Sequence, residues 1–318
     1  MSLVSFVIPC YRSEKTIAGV VEEIDAAMSG LLQYTHEIVL VNDCSPDGTY
    51  AVLCELARNN SHIAVVDLAK NFGQHAALMC GLRHTRGEYI VCLDDDGQTP
   101  ANEVEKLLEK LDEGYDVVYA QYEDKQENGF RQFGSRLNSY MTETMLGKPR
   151  ELELNSYFAA RRFIVNEMLR YEHCYPYLMG LVLRSTKRIC NVQVHHRARQ
   201  NGSSGYTLSK LLGLWMNGFT SFSVKPLRIA TYVGAITAFL GFLYSIIIVI
   251  RFFTEHQAPL GWSSTTALLL IIGGIILLLL GIVGEYVGRI FMCINTTPQY
   301  VEREYLPPQN EKYQTYER

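Results

Sequence analysis

Asp94-Asp95-Asp96-Gly97-Gln98 directly follows the apolar run Tyr89-Ile90-Val91-Cys92-Leu93. Carboxylates and an amide at the end of a buried strand are hard oxygen ligands, suited to Mg²⁺ or Mn²⁺ bridged to the phosphates of a nucleotide donor. Alternate side chains of an extended segment share one side, so Asp94, Asp96 and Gln98 are expected to face together, with Asp95 opposite. Asp43 closes a second apolar run, Val39-Leu40-Val41-Asn42, and precedes Ser45-Pro46-Asp47-Gly48-Thr49, a turn and helix-cap signature. That signature accounts for Ser45 to Thr49 and leaves Asp43 to accept hydrogen bonds from a base or ribose. In Asn71-Phe72-Gly73-Gln74-His75, Gly73 permits close backbone approach to a ligand, while His75 reads as structural.

Short apolar runs alternate with helical patterns through the first 120 residues. Leu3 to Ile8, Glu37 to Val41, Ile63 to Leu68, Tyr89 to Leu93 and Val117 to Ala120 are strand-like. Ile17 to Met28, Thr49 to Arg58, His75 to Arg83 and Asn102 to Leu111 are helix-like between them. This βαβ series predicts an α/β domain with a mainly parallel sheet covered on both faces. Ligands in such sheets bind beyond the carboxyl ends of the strands, where Pro9 to Arg12, Asn42-Asp43 and Asp94 to Asp96 all fall.

No Ser/His/Asp array, Cys/His pair or Walker-type glycine loop is present, and the eight cysteines have no CxxC or zinc spacing. They read as reduced thiols. An acceptor that is a phosphate monoester fits this inventory, since it is ionised near neutral pH and needs positive charge to hold it rather than a strong base. Arg131, Arg136, Arg197, Arg199 and Lys210 are candidates for that charge. A net charge of −4 gives no field for nucleic acid, which is not expected as a partner. The N-terminus enters a strand pattern without a basic leader, so no signal peptide is expected.

Ile229 to Ile250 and Thr266 to Val283 are long and apolar enough to cross a hydrocarbon core of about 30 Å. Amphipathic patterns near 131–147 and 207–222 are expected to lie on the bilayer surface. Lys210, Lys225 and Arg228 precede the first span, Arg289 and Arg303 follow the second, and the connecting loop has Arg251 as its basic residue. The bias puts residues 1–225 and the tail from 291 to 318 on the cytoplasmic side of a multi-pass segment at 226–290.

Taken together the chain resembles the polyprenyl-phosphate glycosyltransferases of the GT-A, family 2 type. The likeness rests on Val7-Ile8-Pro9-Cys10-Tyr11, Val41-Asn42-Asp43-Cys44-Ser45, Asn71 to His75, Leu93 to Gln98, Val194-His195-His196, Pro226-Leu227-Arg228 and Gly284 to Arg289. The resemblance implies a Rossmann-like GT-A catalytic domain followed by two transmembrane helices in a bacterial inner membrane. It implies a nucleotide-sugar donor, a divalent cation, a polyprenyl phosphate acceptor, and inverting attack of the lipid phosphate on the anomeric carbon. Pro9, Tyr11 and Asp43 would hold the nucleoside, Asp94 would contact the donor, and Asp96 with Gln98 would bind Mg²⁺ or Mn²⁺. Arg131, Arg136 and Arg199 with Ser204 would hold donor and acceptor phosphates. Relatives with two spans suggest a homo-oligomer, a tetramer among the options.

Three departures from the family pattern stand out. Gly205 replaces a lysine expected in Gly202-Ser203-Ser204-Gly205-Tyr206, Phe158 replaces an arginine after Asn155-Ser156-Tyr157, and Asn42 replaces a frequent aspartate. A processive polysaccharide synthase and a catalytically idle membrane-anchored binding protein are the competing readings. Against the first stands the missing Gln-x-x-Arg-Trp signature, against the second the retained Asp43, Asp94, Asp96 and Gln98.

Overall fold

The computed structural model describes residues 1–122, 143, 148–149, 151–195, scattered positions between 232 and 250, 261–295 and 297–309. Arg131, Arg136, Arg197, Arg199, Ser204 and Lys210 lie outside the described residues, as do most of both amphipathic segments and most of the first predicted span. By its contacts the chain divides into one unit of Met1–Leu208 with Thr297–Arg318 and another of Ser209–Thr296.

The first unit is built on eight strands: β1 Ser2–Cys10, β2 Tyr34–Asn42, β3 Ile63–Leu68, β4 Tyr89–Cys92, β5 Val117–Tyr122, β6 Phe158–Arg161, β7 Ile189–Val194 and β8 Glu302–Leu306. They form one mixed sheet in the order β7-β5-β6-β4-β1-β2-β3-β8. β1 pairs in parallel with β2 and β4, β2 with β3, and β5 with β7, whereas β6 and β8 run against their neighbours. The carboxyl ends of β1, β2, β3, β4 and β5 therefore share one edge, and the start of β6 joins them there.

Both faces of the central strands are apolar because both are covered. Val4, Phe6, Ile8, Ile38, Leu40, Ile63 and Val65 pack with residues of α1 (Ile17–Ser29), α2 (Thr49–Asn59) and α4 (Val104–Asp112). Val39, Val41, Ala64, Val66 and Leu68 take the other face, against Ala77 and Cys80 of α3 (Gln74–Arg83). Gly81 makes the close approach of α3 feasible, since a Cβ there would stand 2.4 Å from Val7 Cγ1. Every strand and helix expected from the sequence in this half is present, with ends shifted by a few residues.

Four described elements between residues 151 and 195 have no counterpart in the sequence reading: β6, α5 (Arg162–Leu169), α6 (Leu178–Ser185) and β7. β6 has four residues, too few to show a period, and β7 is half-buried along most of its length. β8 is a further surprise, a Glu-Arg-Glu-Tyr-Leu stretch that reads as polar tail and instead closes the sheet beside β3. Charged side chains suit such an edge, which must resist further strand pairing. Glu302 Oε1 lies 3.1 Å from His84 Nε2 and accepts from Cys80 Sγ at 3.4 Å, and Glu304 accepts from Tyr50 Oη at 2.8 Å.

In the second unit α7 spans Trp262–Ile294, running on through Glu285 and Arg289 past the expected end at Val283. Among the described residues it is the one helix long and apolar enough to cross a membrane, over Ile272–Ile294. Leu277, Leu280, Phe291 and Ile294 are each more than half exposed.

Candidate active site

β4 delivers Asp94 to the shared carboxyl edge, but the extended backbone stops at Cys92 and the chain bends through Asp95 to Gly97. The expected alternation of Asp94, Asp96 and Gln98 on one side is therefore replaced by a turn, and three neighbouring carboxylates take three directions. Asp94 accepts from Gln74 Nε2 at 2.7 Å and from the Ser156 hydroxyl, which ties β4 to the start of α3 and to the turn before β6. Asp95 accepts the Tyr11 backbone N–H at 2.9 Å, locking the end of β1 to the same loop. Asp96 accepts the Gln98 N–H at 3.0 Å, with Gly97 at φ +72 making the turn.

Crowding like charges at a half-buried edge has an electrostatic cost. Burial, then repulsion from Asp96 and Asp95, raises the Asp94 carboxyl to about 6, although its bonds from Ser156 and Gln74 favour ionisation. Asp95 is raised as well, again chiefly by burial. A divalent cation would relieve that repulsion, and carboxylate and amide oxygens are the donor type a hard metal takes, although among the described residues these three carboxylates do not bring their oxygens within 4.8 Å of one another.

Asp43 is buried, and each of its oxygens already accepts a backbone N–H, Phe72 at 2.7 Å and Gly73 at 2.9 Å. Its carboxylate organises the Asn71-Phe72-Gly73 loop, where Gly73 at φ +89 adopts a backbone that side-chain-bearing residues avoid. Each oxygen has a second lone pair beyond the one its backbone N–H uses. Burial raises the Asp43 carboxyl above the usual range. Pro9 is buried in β1, whereas the Tyr11 ring is exposed at the same edge, with the Arg12 guanidinium 5.4 Å from its centre. Both non-glycine residues with positive φ at this edge, Arg12 and Cys44, sit in the loops that follow β1 and β2.

The His75 ring is enclosed, and its buried Nδ1 has no hydrogen-bond partner among the described residues. Burial lowers its imidazole to about 4, so it is neutral near pH 7, and its ring meets Tyr177 edge-on at 5.3 Å. Phe158, where the family pattern has an arginine, is buried against Tyr119 at 5.3 Å, so this position packs rather than presenting charge.

Asn42 has a physical reason absent from the sequence reading. Its Nδ2 donates to Asp67 at 2.7 Å while its Oδ1 accepts the Ser45 N–H at 3.2 Å, a pairing an aspartate facing Asp67 would not make. Asp67 in turn accepts from Arg303 at 3.2 Å, and Arg303 also donates to the Ala69 carbonyl at 3.0 Å. Arg303, Gln74 and Ser156 are site-supporting residues that sequence reasoning missed. Gln74 and Ser156 stand inside sequence motifs named above, where neither has a role, and Arg303 counts there only as a charge after the second span.

The family model for glycosyl transferase family 2 matches residues 5–169, the stretch that carries every one of these carboxylates. The chain belongs to glycosyl transferase family 2. This glycosyltransferase also matches the GtrB C-terminal hairpin over residues 225–290. It is 34% identical to the undecaprenyl-phosphate 4-deoxy-4-formamido-L-arabinose transferase of Enterobacter sp. (strain 638), over 93% of this chain and 91% of that one. With the protein of the same description from Yersinia pestis (strain Pestoides F) it shares 33% identity over the same shares. Its fold resembles that of glucosyl-3-phosphoglycerate synthase from Mycobacterium tuberculosis, solved with Mn²⁺ and UDP-glucose, with a TM-score of 0.50, 20% identity, and 69% of this chain and 77% of that one covered. That likeness supports a GT-A-like mixed α/β sheet.

Arg303→Ala in this glycosyltransferase tests the link from β8 to the edge. Losing one charged partner of buried Asp67, while Asn42 still donates to it, is expected to cost about 1 kcal/mol, discounted for the exposure of Arg303. That corresponds to an unfolding midpoint lower by roughly 2–4 °C. An unchanged midpoint would show that Asp67 is satisfied without it.

Proposed function

We propose that this glycosyltransferase moves a monosaccharide from a nucleotide diphosphate sugar, UDP-linked by preference, onto a polyprenyl phosphate with inversion at the anomeric carbon. The observation that carries the reading is the crowding of Asp94, Asp95 and Asp96 where β1 and β4 end, beside the exposed ring of Tyr11. Such a cluster favours a cation-bridged diphosphate. The described activity of the 33–34% identical relatives supplies the acceptor.

In this reading Pro9, Tyr11 and Asp43 hold the nucleoside and Asp94 contacts the donor. Asp96 and Gln98 hold Mg²⁺ or Mn²⁺, which when bound supplies Lewis-acid neutralisation of the diphosphate leaving group. Arg131 and Arg136, with Arg199 and Ser204, hold the phosphates of donor and acceptor. An oxygen of the lipid phosphate forms the new bond to the anomeric carbon as the bond to the nucleoside diphosphate breaks, and no proton need be removed from the nucleophile. Residues 226–290 form a two-helix hairpin in a bacterial cytoplasmic membrane, with the catalytic domain and C-terminus on the cytoplasmic side, in a homo-oligomer. The apolar surface of α7 supports lipid as its surroundings.

The test is a transfer assay with purified protein, undecaprenyl phosphate, Mg²⁺ or Mn²⁺, and a panel of UDP- and GDP-sugars. A lipid-linked monosaccharide is the expected product. A polymer would favour a processive synthase, and no product with any donor would favour an idle anchor. Arg199→Ala is expected to raise the polyprenyl phosphate concentration for half-maximal rate about tenfold, the scale of one charge-assisted phosphate contact. Unchanged lipid dependence would remove Arg199 from the acceptor site.

A further inference from the structure

We propose that Asp25, His36 and His62 form a binding site for a borderline transition-metal dication, with Zn²⁺ as its probe, at the edge of the sheet opposite the carboxylate cluster. The three residues come from three elements: Asp25 from the later turns of α1, His36 from the start of β2, and His62 from the residue before β3. His36 Nε2 lies 2.7 Å and His62 Nε2 2.9 Å from the same oxygen, Oδ1 of Asp25. The two imidazole rings stand 4.8 Å apart at 65°.

Tertiary structure holds this convergence in place. Parallel pairing of β2 with β3 sets the two histidines side by side, and Ile38 N–H bonds to the His62 carbonyl at 3.0 Å. Phe6 of β1 meets the His36 ring edge-on at 6.2 Å. The side chains of His36, His62 and Asp25 are 20%, 28% and 34% exposed, partly sheltered yet open to a water as fourth ligand. All three ligand atoms lie within 4.8 Å of one another.

Tetrahedral bonds of about 2.0 Å place ligand atoms about 3.3 Å apart, so Asp25 needs to draw back from each imidazole by about half an ångström to take Zn²⁺. Two imidazoles and one carboxylate are a donor set for zinc and its neighbours rather than for Mg²⁺ or Ca²⁺. The seven residues from His36 to Asp43 along β2 separate the site from the carboxylate edge by roughly 20 Å at a strand's rise. The cation therefore braces α1 against β2 and β3 and takes no part in sugar transfer.

The experiment uses the full chain in detergent, stripped with EDTA, exchanged into buffer and titrated with Zn²⁺ and with Co²⁺. Zn²⁺ at a hundredfold excess over its Kd is expected to raise the unfolding midpoint by about 5 °C. Co²⁺ is expected to give a tetrahedral visible spectrum without a thiolate charge-transfer band. Both responses are expected to vanish in the His36→Gln/His62→Gln protein and to survive in Cys80→Ser and in Asp96→Ala. Cys80→Ser is the needed control because Cys80, His84 and Glu302 form the other described cluster of ligand-type residues. Asp25→Asn, a gentler change, is expected to weaken Zn²⁺ binding at least tenfold in a protein whose circular dichroism is unchanged. No Zn²⁺ response in the wild-type chain, a thiolate band, or an undiminished response in the histidine variants would overturn the proposal.

Discussion

Asp96→Ala is expected to lower sugar transfer by at least about a hundredfold, the scale on which one transition-state electrostatic contact is felt. The reason is positional. Asp96 stands on the bend after β4, beside two carboxylates whose crowding it helps create, and in the proposed reaction it is the side chain that grips the cation. Asp96 accepts the Gln98 N–H within its own turn, and the buried strand ends at Cys92, so the variant is expected to keep its fold. The measurement is initial rate against metal concentration, with circular dichroism and thermal unfolding as controls. Near-normal transfer from a folded variant would show that the cation is held elsewhere.

Asp94→Asn should separate function from stability. The folded carboxyl is raised to about 6 against roughly 3.9 unfolded, so between these values the folded chain binds more protons than the unfolded one. Stability contributed by this group is therefore greatest below about pH 4, falls as pH rises toward 6, and stays reduced above it. With Asp94 half-buried and the shift discounted for screening, the cost at pH 8 is about 1–3 kcal/mol. The neutral amide removes it, and the Ser156 hydroxyl and Gln74 amide can both turn to meet Asn. In EDTA at pH 8 the variant should unfold several degrees above wild type, with the two converging near pH 4, while transfer falls about a hundredfold through the lost donor contact. A variant that melts lower at every pH would show that the Asp94 bonds outweigh its crowding.

How much of this could be read in advance depended on whether the information was local. The continuous apolar runs of β1 and β2, buried on both faces, are written in adjacent positions, which is why the first five strands and four helices are legible. The site's location followed from the same pattern, because carboxyl ends of parallel strands share an edge. The direction of each carboxylate did not, since an extended strand was assumed where Gly97 makes a turn. Phe158 illustrates a milder failure: its departure from the family pattern was visible, but that it packs on Tyr119 depends on a pairing between distant strands.

The amino-acid order alone therefore determined the βαβ framework, the apolar stretch that became α7, and the presence of acidic groups at strand ends, because hydrophobic period and strand length are properties of neighbouring residues. Tertiary structure alone decided that β8 returns to pair with β3, that Arg303 reaches Asp67 and through it Asn42, and that Asp25, His36 and His62 meet. Those contacts join positions far apart along the chain, and strand register and helix packing bring them together where no local pattern records the meeting.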